Sequence, residues 1–173
     1  MKSVYQYLYE NTDYGQAEKN NCPGVKYFKY YKDHLLGSIF DVGCGNGDTI
    51  NMLCENGFPC DGMDFIDLGN ELQVGDISKK IKDIKDYETS ICIDVFEHLT
   101  DKQVKGVLKN MAKTVNQVIT VHNKRAVFKG SNGEQLHINL KEFDKWEKII
   151  SKYLEIKERF LITPYLVLYL CQK

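Results

Sequence analysis

The stretch DVGCGNGDT, Asp41 to Thr49, decides how the chain is read. Gly43, Gly45 and Gly47 stand at alternate positions directly after the apolar run Ile39-Phe40-Asp41-Val42. Without a Cβ, glycine permits a positive φ and lets main chain come close to a ligand. A glycine turn between a strand and a helix also leaves the free N–H groups of the first helical turn facing that ligand. In a dinucleotide-binding turn the spacing is G-x-G-x-x-G, and pyrophosphate rests on the helix start. Here the spacing is G-x-G-x-G, with Asp48 where the dinucleotide pattern has its third glycine. A carboxylate there repels a pyrophosphate, so NAD is the weaker candidate.

Working outward, Ser38 to Val42 reads as a buried strand between two helices, Gly24 to Leu36 and Thr49 to Asn56. Strands follow at Cys60–Asp64, Leu72–Gly75, Ser90–Val95 and Gln117–His122. Ser78 to Tyr87 reads as helical, with Ile81 and Ile84 inward. Thr100 to Val115 is the clearest helix, opened by the capping box Thr100-x-x-Gln103. A polar loop from Asn123 to Gln135 precedes a helix capped by Asn139-x-x-Glu142. Tyr153–Leu161 and Tyr165–Cys171 close the chain as a hairpin across Thr163-Pro164. Alternating strands and helices imply an α/β fold around a mostly parallel sheet. Residues 1–22, rich in Tyr and Asn without a clean period, read as an arm or lid, with Tyr14-Gly15 and the tyrosines before it as lid candidates. Residues 23–173 read as a single domain.

Three acids end three successive strands: Asp41, Asp64 and Asp76. That set suits a ligand with an ammonium group and a nucleoside. Asp41 faces the amino group through the loop or a water, Asp64 accepts both ribose hydroxyls, and Asp76 accepts the adenine amine while Ile77 packs on the ring. Each acid alone also fits an ordinary strand end or turn. With these motifs in place, the chain from Gly37 to Lys173 resembles the class I S-adenosylmethionine-dependent methyltransferases. Asp41-Val42-Gly43-Cys44-Gly45-Asn46-Gly47 is similar to their first motif. CIDVFEHL, Cys92 to Leu99, is similar to the fourth-strand motif of the small-molecule branch, which includes the ubiquinone-biosynthesis O-methyltransferases. The resemblance implies a Rossmann-like seven-stranded sheet with an antiparallel last strand and helices on both faces. It also implies S-adenosylmethionine as cofactor, with Phe65, Ile93, Asp94 and His98 joining the glycine loop and the three acids around it. One departure is the connection from Asp64 to Leu72, too short for the helix usual there, which leaves Phe65, Ile66 and the N-terminal arm to cover the adenine side.

Methyl transfer from a sulfonium is an in-line displacement in which positioning does most of the work. A hydroxyl acceptor gains from a nearby base, and His137 and His122 are the candidates, each with the alternative of bracing a loop. His137 lies in EQLHINLKEF, where related small-molecule enzymes often carry a substrate-facing histidine. Asp94, Glu97 and His98 have the spacing to meet on one helical face. Some ubiquinone-type relatives hold a divalent cation with an acidic cluster near here. The reading adopted has Glu97 as a brace, His98 in the cofactor cleft and no metal ligand.

Composition excludes several classes. The formal net charge is −1, with 21 Lys against Arg125 and Arg159 alone, so neither a polyanion-binding face nor bidentate arginine readout is supported. The Asn/Asp-Pro-Pro-Tyr/Phe tetrad of amino-methylating nucleic-acid enzymes is absent at Asp94-Val95-Phe96-Glu97. Six cysteines without a C-x-x-C pair read as reduced thiols rather than a zinc site. No secretory leader or membrane-spanning run is evident, and the expected location is cytoplasmic. The leading function is methyl transfer to a small or medium-sized acceptor. The alternatives are a catalytically silent cofactor-binding module that works through a partner, a nucleic-acid or protein methyltransferase, and an aminopropyl transferase, which normally needs a denser acidic site.

Overall fold

A computed structural model of the protein describes residues 2–12, 14, 22–68, 72–130 and 132–173. Helices α1 (Lys2–Asn11) and α2 (Pro23–Tyr31) lead into β1 (Ile39–Val42), α3 (Asp48–Glu55), β2 (Cys60–Asp64) and β3 (Gln73–Val74). Then come β4 (Thr89–Cys92), α4 (Asp101–Met111), β5 (Asn116–His122), α5 (Phe143–Ile150), β6 (Glu155–Thr163) and β7 (Leu166–Gln172). The strands form one seven-stranded sheet in the order β3-β2-β1-β4-β5-β7-β6. β1 pairs in parallel with β2 and β4, and β5 in parallel with β4. β7 is antiparallel to both of its neighbours, β5 and β6.

Both faces of the sheet are covered, which is why β1 and β4 are buried along their whole length. Val104, Val107, Leu108 and Met111 of α4, with Trp146 and Ile150 of α5, pack on one face against Phe40, Val42 and Ile119. Tyr27 and Tyr31 of α2 and Leu53 of α3 pack on the other against Ile39, Ile91 and Val118. The capping box at Thr100 and Gln103 is formed in both directions. Among the described residues no helix is long and apolar enough to cross a membrane.

Three local expectations are corrected. The segment 78–87 is not an α-helix: turns lead to a short 3-10 helix at Asp83–Asp86, although Ile81 and Ile84 are buried as expected. The cause is Asn110 on α4, whose amide donates to the Ile77 and Lys79 carbonyls while its oxygen accepts the Ile81 N–H. Those are backbone groups that a helix would need for itself. Close packing reinforces it, since a Cβ on Gly106 of α4 would stand 2.1 Å from the Ser78 carbonyl oxygen.

Secondly, Asn139 does not cap α5, which starts after Glu142 without a side-chain cap. The Asn139 amide instead donates to the Leu99 carbonyl and to Asp101. Thirdly, the N-terminal segment is not irregular throughout. α1 buries Tyr5 and Leu8 beside Ile66 and Leu136, with Val4, Tyr9, Tyr14 and Phe65 around them. Of the expected arm or lid at 1–22, Met1, Asp13 and residues 15–21, the lid candidate Gly15 among them, lie outside the described residues. No helix stands between β2 and β3 among the described residues, and α1 packs on Phe65 and Ile66 there.

Candidate active site

The sheet order reverses between β1 and β4, and in open α/β sheets ligands bind beyond the strand ends at such a point. A cavity of about 1490 Å³ opens there. Pockets that hold one drug-sized ligand measure roughly 300–1,000 Å³, so this space admits a nucleoside cofactor together with a second molecule.

Its floor is the loop between β1 and α3. Gly43 has φ +92° and Gly45 φ +52°, both in the left-handed region. A Cβ on Gly43 would lie 2.6 Å from Val95, whereas one on Gly45 would meet, among the described residues, only the Tyr9 hydroxyl, at 2.9 Å. Gly43 therefore permits close packing, and Gly45 keeps the surface of the cavity bare. Gly47 does not line the cavity: it is the N-cap of α3, with φ +83°, and its N–H donates to the Cys44 carbonyl. It shapes the turn.

Asp41, Asp64 and Asp76 all face this cavity. Burial, with the Asp64 charge second, pushes the Asp41 carboxyl up to about 8. Asp64 accepts the Gly45 N–H at 2.9 Å on one oxygen and the Ile66 N–H at 3.2 Å on the other. Burial raises its pKa and those N–H groups lower it, burial being the larger effect. A carboxylate oxygen holds more than one lone pair, so each can accept a further donor from a ligand. Asp76 is exposed and spends one oxygen on the Ser78 N–H and hydroxyl, next to the buried Ile77. Among the described residues the Lys and Arg side chains on the cavity are Lys124 and Arg125, both from the loop after β5.

A second corner carries the histidines. Asp94 follows β4 with φ +56°, the single described non-glycine residue in the left-handed region. Its N–H donates to the Thr120 hydroxyl, which donates back to Asp94 Oδ1, and His122 Nε2 lies 3.5 Å from that oxygen. The ring of His137 stands 4.7 Å from that of His98 and 5.7 Å from that of His122. His137 Nδ1 donates to the Lys124 carbonyl. His98 Nδ1 stands between the Tyr5 hydroxyl, at 2.6 Å, and the Leu136 carbonyl, at 3.2 Å. Burial, then the His137 imidazole, pushes His98 down to about 4, and burial lowers His137 too. Beneath them Glu97 is fully buried, and neither carboxylate oxygen has a hydrogen-bond partner.

No protein-family model matches the chain, and no curated protein matches it in sequence. Solved structures do match in fold. A TehB-like S-adenosylmethionine-dependent methyltransferase from Corynebacterium glutamicum superposes with a TM-score of 0.68 at 15% identity, over 99% of this chain and 97% of that one. The fold is that of the S-adenosylmethionine-dependent methyltransferases. Burkholderia thailandensis 1,6-didemethyltoxoflavin-N1-methyltransferase, solved with 1,6-didemethyltoxoflavin and S-adenosylhomocysteine, gives a TM-score of 0.70 at 10% identity, over 99% and 85% of the two chains. A Pyrococcus horikoshii OT3 protein gives 0.70 at 15% identity, over 99% of each.

On this methyltransferase fold the residues singled out from the sequence converge. Asp41, Gly43, Cys44, Gly45, Asn46, Asp64, Phe65, Asp76, Ile77, Ile93, Asp94, His98, His122 and His137 line the one cavity; Gly47 alone does not. Sequence reasoning missed the turn Thr163–Tyr165 between β6 and β7, which reaches the cavity beside Lys124, where the Lys124 ammonium sits 5.1 Å from the Tyr165 ring centre. A generic Thr-Pro turn carries no signal of that placement.

Proposed function

We propose that the protein is an S-adenosylmethionine-dependent methyltransferase acting on a small or medium-sized acceptor. The observation that carries this reading is the distribution of charge on the cavity wall. Carboxyl groups stand at the ends of β1 and β2 and just after β3, Asp41 taking up its charge when a cation binds beside it, while the cations stand on the loop after β5. Such a wall suits a ligand with an ammonium, a sulfonium and a ribose diol, and it is hostile to a pyrophosphate. The methyltransferases of similar fold include ones solved with S-adenosylmethionine or S-adenosylhomocysteine. The finer likeness, to the ubiquinone-biosynthesis branch, rests on Cys92–Leu99 alone.

When bound, the cofactor supplies an electrophilic methyl group on sulfur. The chain's contribution is placement. Asp64, held by the Gly45 and Ile66 N–H groups, accepts the ribose hydroxyls. Asp76 and Ile77 take the adenine, Asp41 and the bare face of Gly45 take the amino-acid end, and Ile93, Asp94 and His98 border the reacting end. Cys44, Asn46 and Phe65 fill the walls between. His137 and His122 activate the acceptor, which enters beside Lys124 and Tyr165. Tyr5, Tyr9 and Tyr14 from the N-terminal segment shield the transfer from water.

Incubation with methyl-labelled S-adenosylmethionine and the small-molecule, RNA and protein fractions of one lysate tests the acceptor class. Label is expected in the small-molecule fraction. Label in RNA or protein alone would contradict the reading.

A further inference from the structure

We infer that the acceptor is a small acid, and that Lys124 and Arg125 hold its anionic group at the mouth of the cavity while its apolar body lies against Val127, Phe128 and Tyr165. The inference deepens the proposed function and rests on it for which ligand sits where in the cavity.

The cavity is divided in charge. Carboxyl groups line it from the ends of β1 to β4, and Lys124 and Arg125 line it from the loop after β5. Among the described residues neither cation forms an ion pair. Both are exposed, which puts them at the mouth rather than the floor. Burial holds the His98 and His137 imidazoles towards their neutral forms, so the fixed positive charge at this end belongs to the two longer side chains.

The cofactor carries a carboxylate of its own, and the sheet order decides against it as their partner. Its nucleoside is assigned to the ends of β2 and β3, its amino-acid end to the loop after β1, and its reacting end to Asp94 after β4. β5 stands two strands away from β1, about 10 Å at the usual strand spacing. The loop after β5 is therefore beyond the transfer point, where the acceptor has to lie. The acids of the opposite wall repel an anion from the cofactor's subsites, which leaves this end as the place for one.

The same rim supplies apolar surface. Val127 is 87% exposed, Tyr165 49% and Phe128 42%, and all three line the cavity. Large apolar side chains left bare together on one wall mark a binding surface. Phe128 is held edge-on against Tyr14, and the Lys124 ammonium stands over the Tyr165 ring, so apolar and cationic surface adjoin. A guanidinium matches a carboxylate or phosphate with two parallel hydrogen bonds, and the ammonium adds a point charge. His137 is tied to this segment through its bond to the Lys124 carbonyl. An acid anchored at Lys124 and Arg125 thus presents its other end to the imidazole proposed to activate it.

The test compares anilinonaphthalene sulfonate, an apolar anion, with N-phenylnaphthylamine, which has the same rings without the sulfonate. Fluorescence titrations of the full-length protein, with and without saturating S-adenosylhomocysteine, set wild type against the double variant Lys124→Gln, Arg125→Gln. The variant is expected to bind the sulfonate at least about tenfold more weakly, and the uncharged dye and S-adenosylhomocysteine as wild type does. Equal affinity for the sulfonate in both proteins would overturn the inference. So would weaker S-adenosylhomocysteine binding in the variant, because the cations would then hold the cofactor's carboxylate. The small-molecule fraction of a lysate is also divided on an anion exchanger before methyl labelling. Label is expected from the retained pool, and label from the unretained pool alone would overturn the inference. Phosphatase treatment of the retained pool separates a phosphate ester, whose labelling it abolishes, from a carboxylate, whose labelling survives. Failure of the wild-type protein to bind S-adenosylhomocysteine would strike the proposed function instead, and the dye titrations without it still read the anion site.

Discussion

Gly45→Val is expected to abolish S-adenosylhomocysteine binding, a loss of at least about 100-fold, while leaving the protein folded. Gly45 has φ +52°, where a β-branched residue is strained. Its N–H also donates to Asp64, so a backbone shift that relieves the strain displaces the ribose-binding carboxylate as well. Among the described residues the added Cβ meets only the Tyr9 hydroxyl within 4 Å, the end of a side chain able to swing away, so the core is spared. That separates this position from Gly43, where the Cβ would press on Val95 at 2.6 Å and disturb packing. Calorimetric titration beside a thermal melt reads both quantities. Wild-type affinity in Gly45→Val would mean that the cavity floor is not where the cofactor lies.

Asp64→Ala is the second large effect, expected to weaken the same binding by about 1–3 kcal/mol, the range for hydrogen bonds to a charged group. That is roughly 5- to 150-fold in Kd. The variant also leaves the Gly45 N–H without its acceptor, so the loop loses its anchor together with the ligand contact. Asp64→Asn keeps an oxygen for the Gly45 N–H and is expected to fall between wild type and Asp64→Ala. Equal losses in the two variants would mean that charge, not loop anchoring, carries the effect. No loss in either would remove Asp64 from the site.

The sheet was legible because its strands are punctuated by chemistry that local sequence shows. Cys60–Asp64 is bounded by Pro59 and closes on an acid; the helix from Asp101 is announced by its capping box and apolar stripe. Legibility failed where distant residues supply the deciding bonds. Ser78 to Tyr87 has helical spacing, but Asn110, more than twenty residues further along, takes up its backbone groups. Asn139 has the spacing of a cap, but the Leu99 carbonyl and Asp101 claim its amide. α1 was hidden because tyrosine occupies both its buried face, at Tyr5, and its exposed face, at Tyr7. The cofactor-side candidates were readable from one loop and three strand ends, since strands fix direction as well as position. The three-histidine corner was not, because His98, His122 and His137 come from separate segments and meet only once the loop 123–138 folds back over Glu97.

We propose that the acid-walled cavity at the ends of β1 and β4 binds S-adenosylmethionine. The most direct test is calorimetric titration of the wild-type protein with S-adenosylhomocysteine, with NAD as the control. Saturable 1:1 binding in the micromolar range for S-adenosylhomocysteine, with none for NAD, is the predicted result. Binding of NAD, or no binding of S-adenosylhomocysteine, would contradict the account.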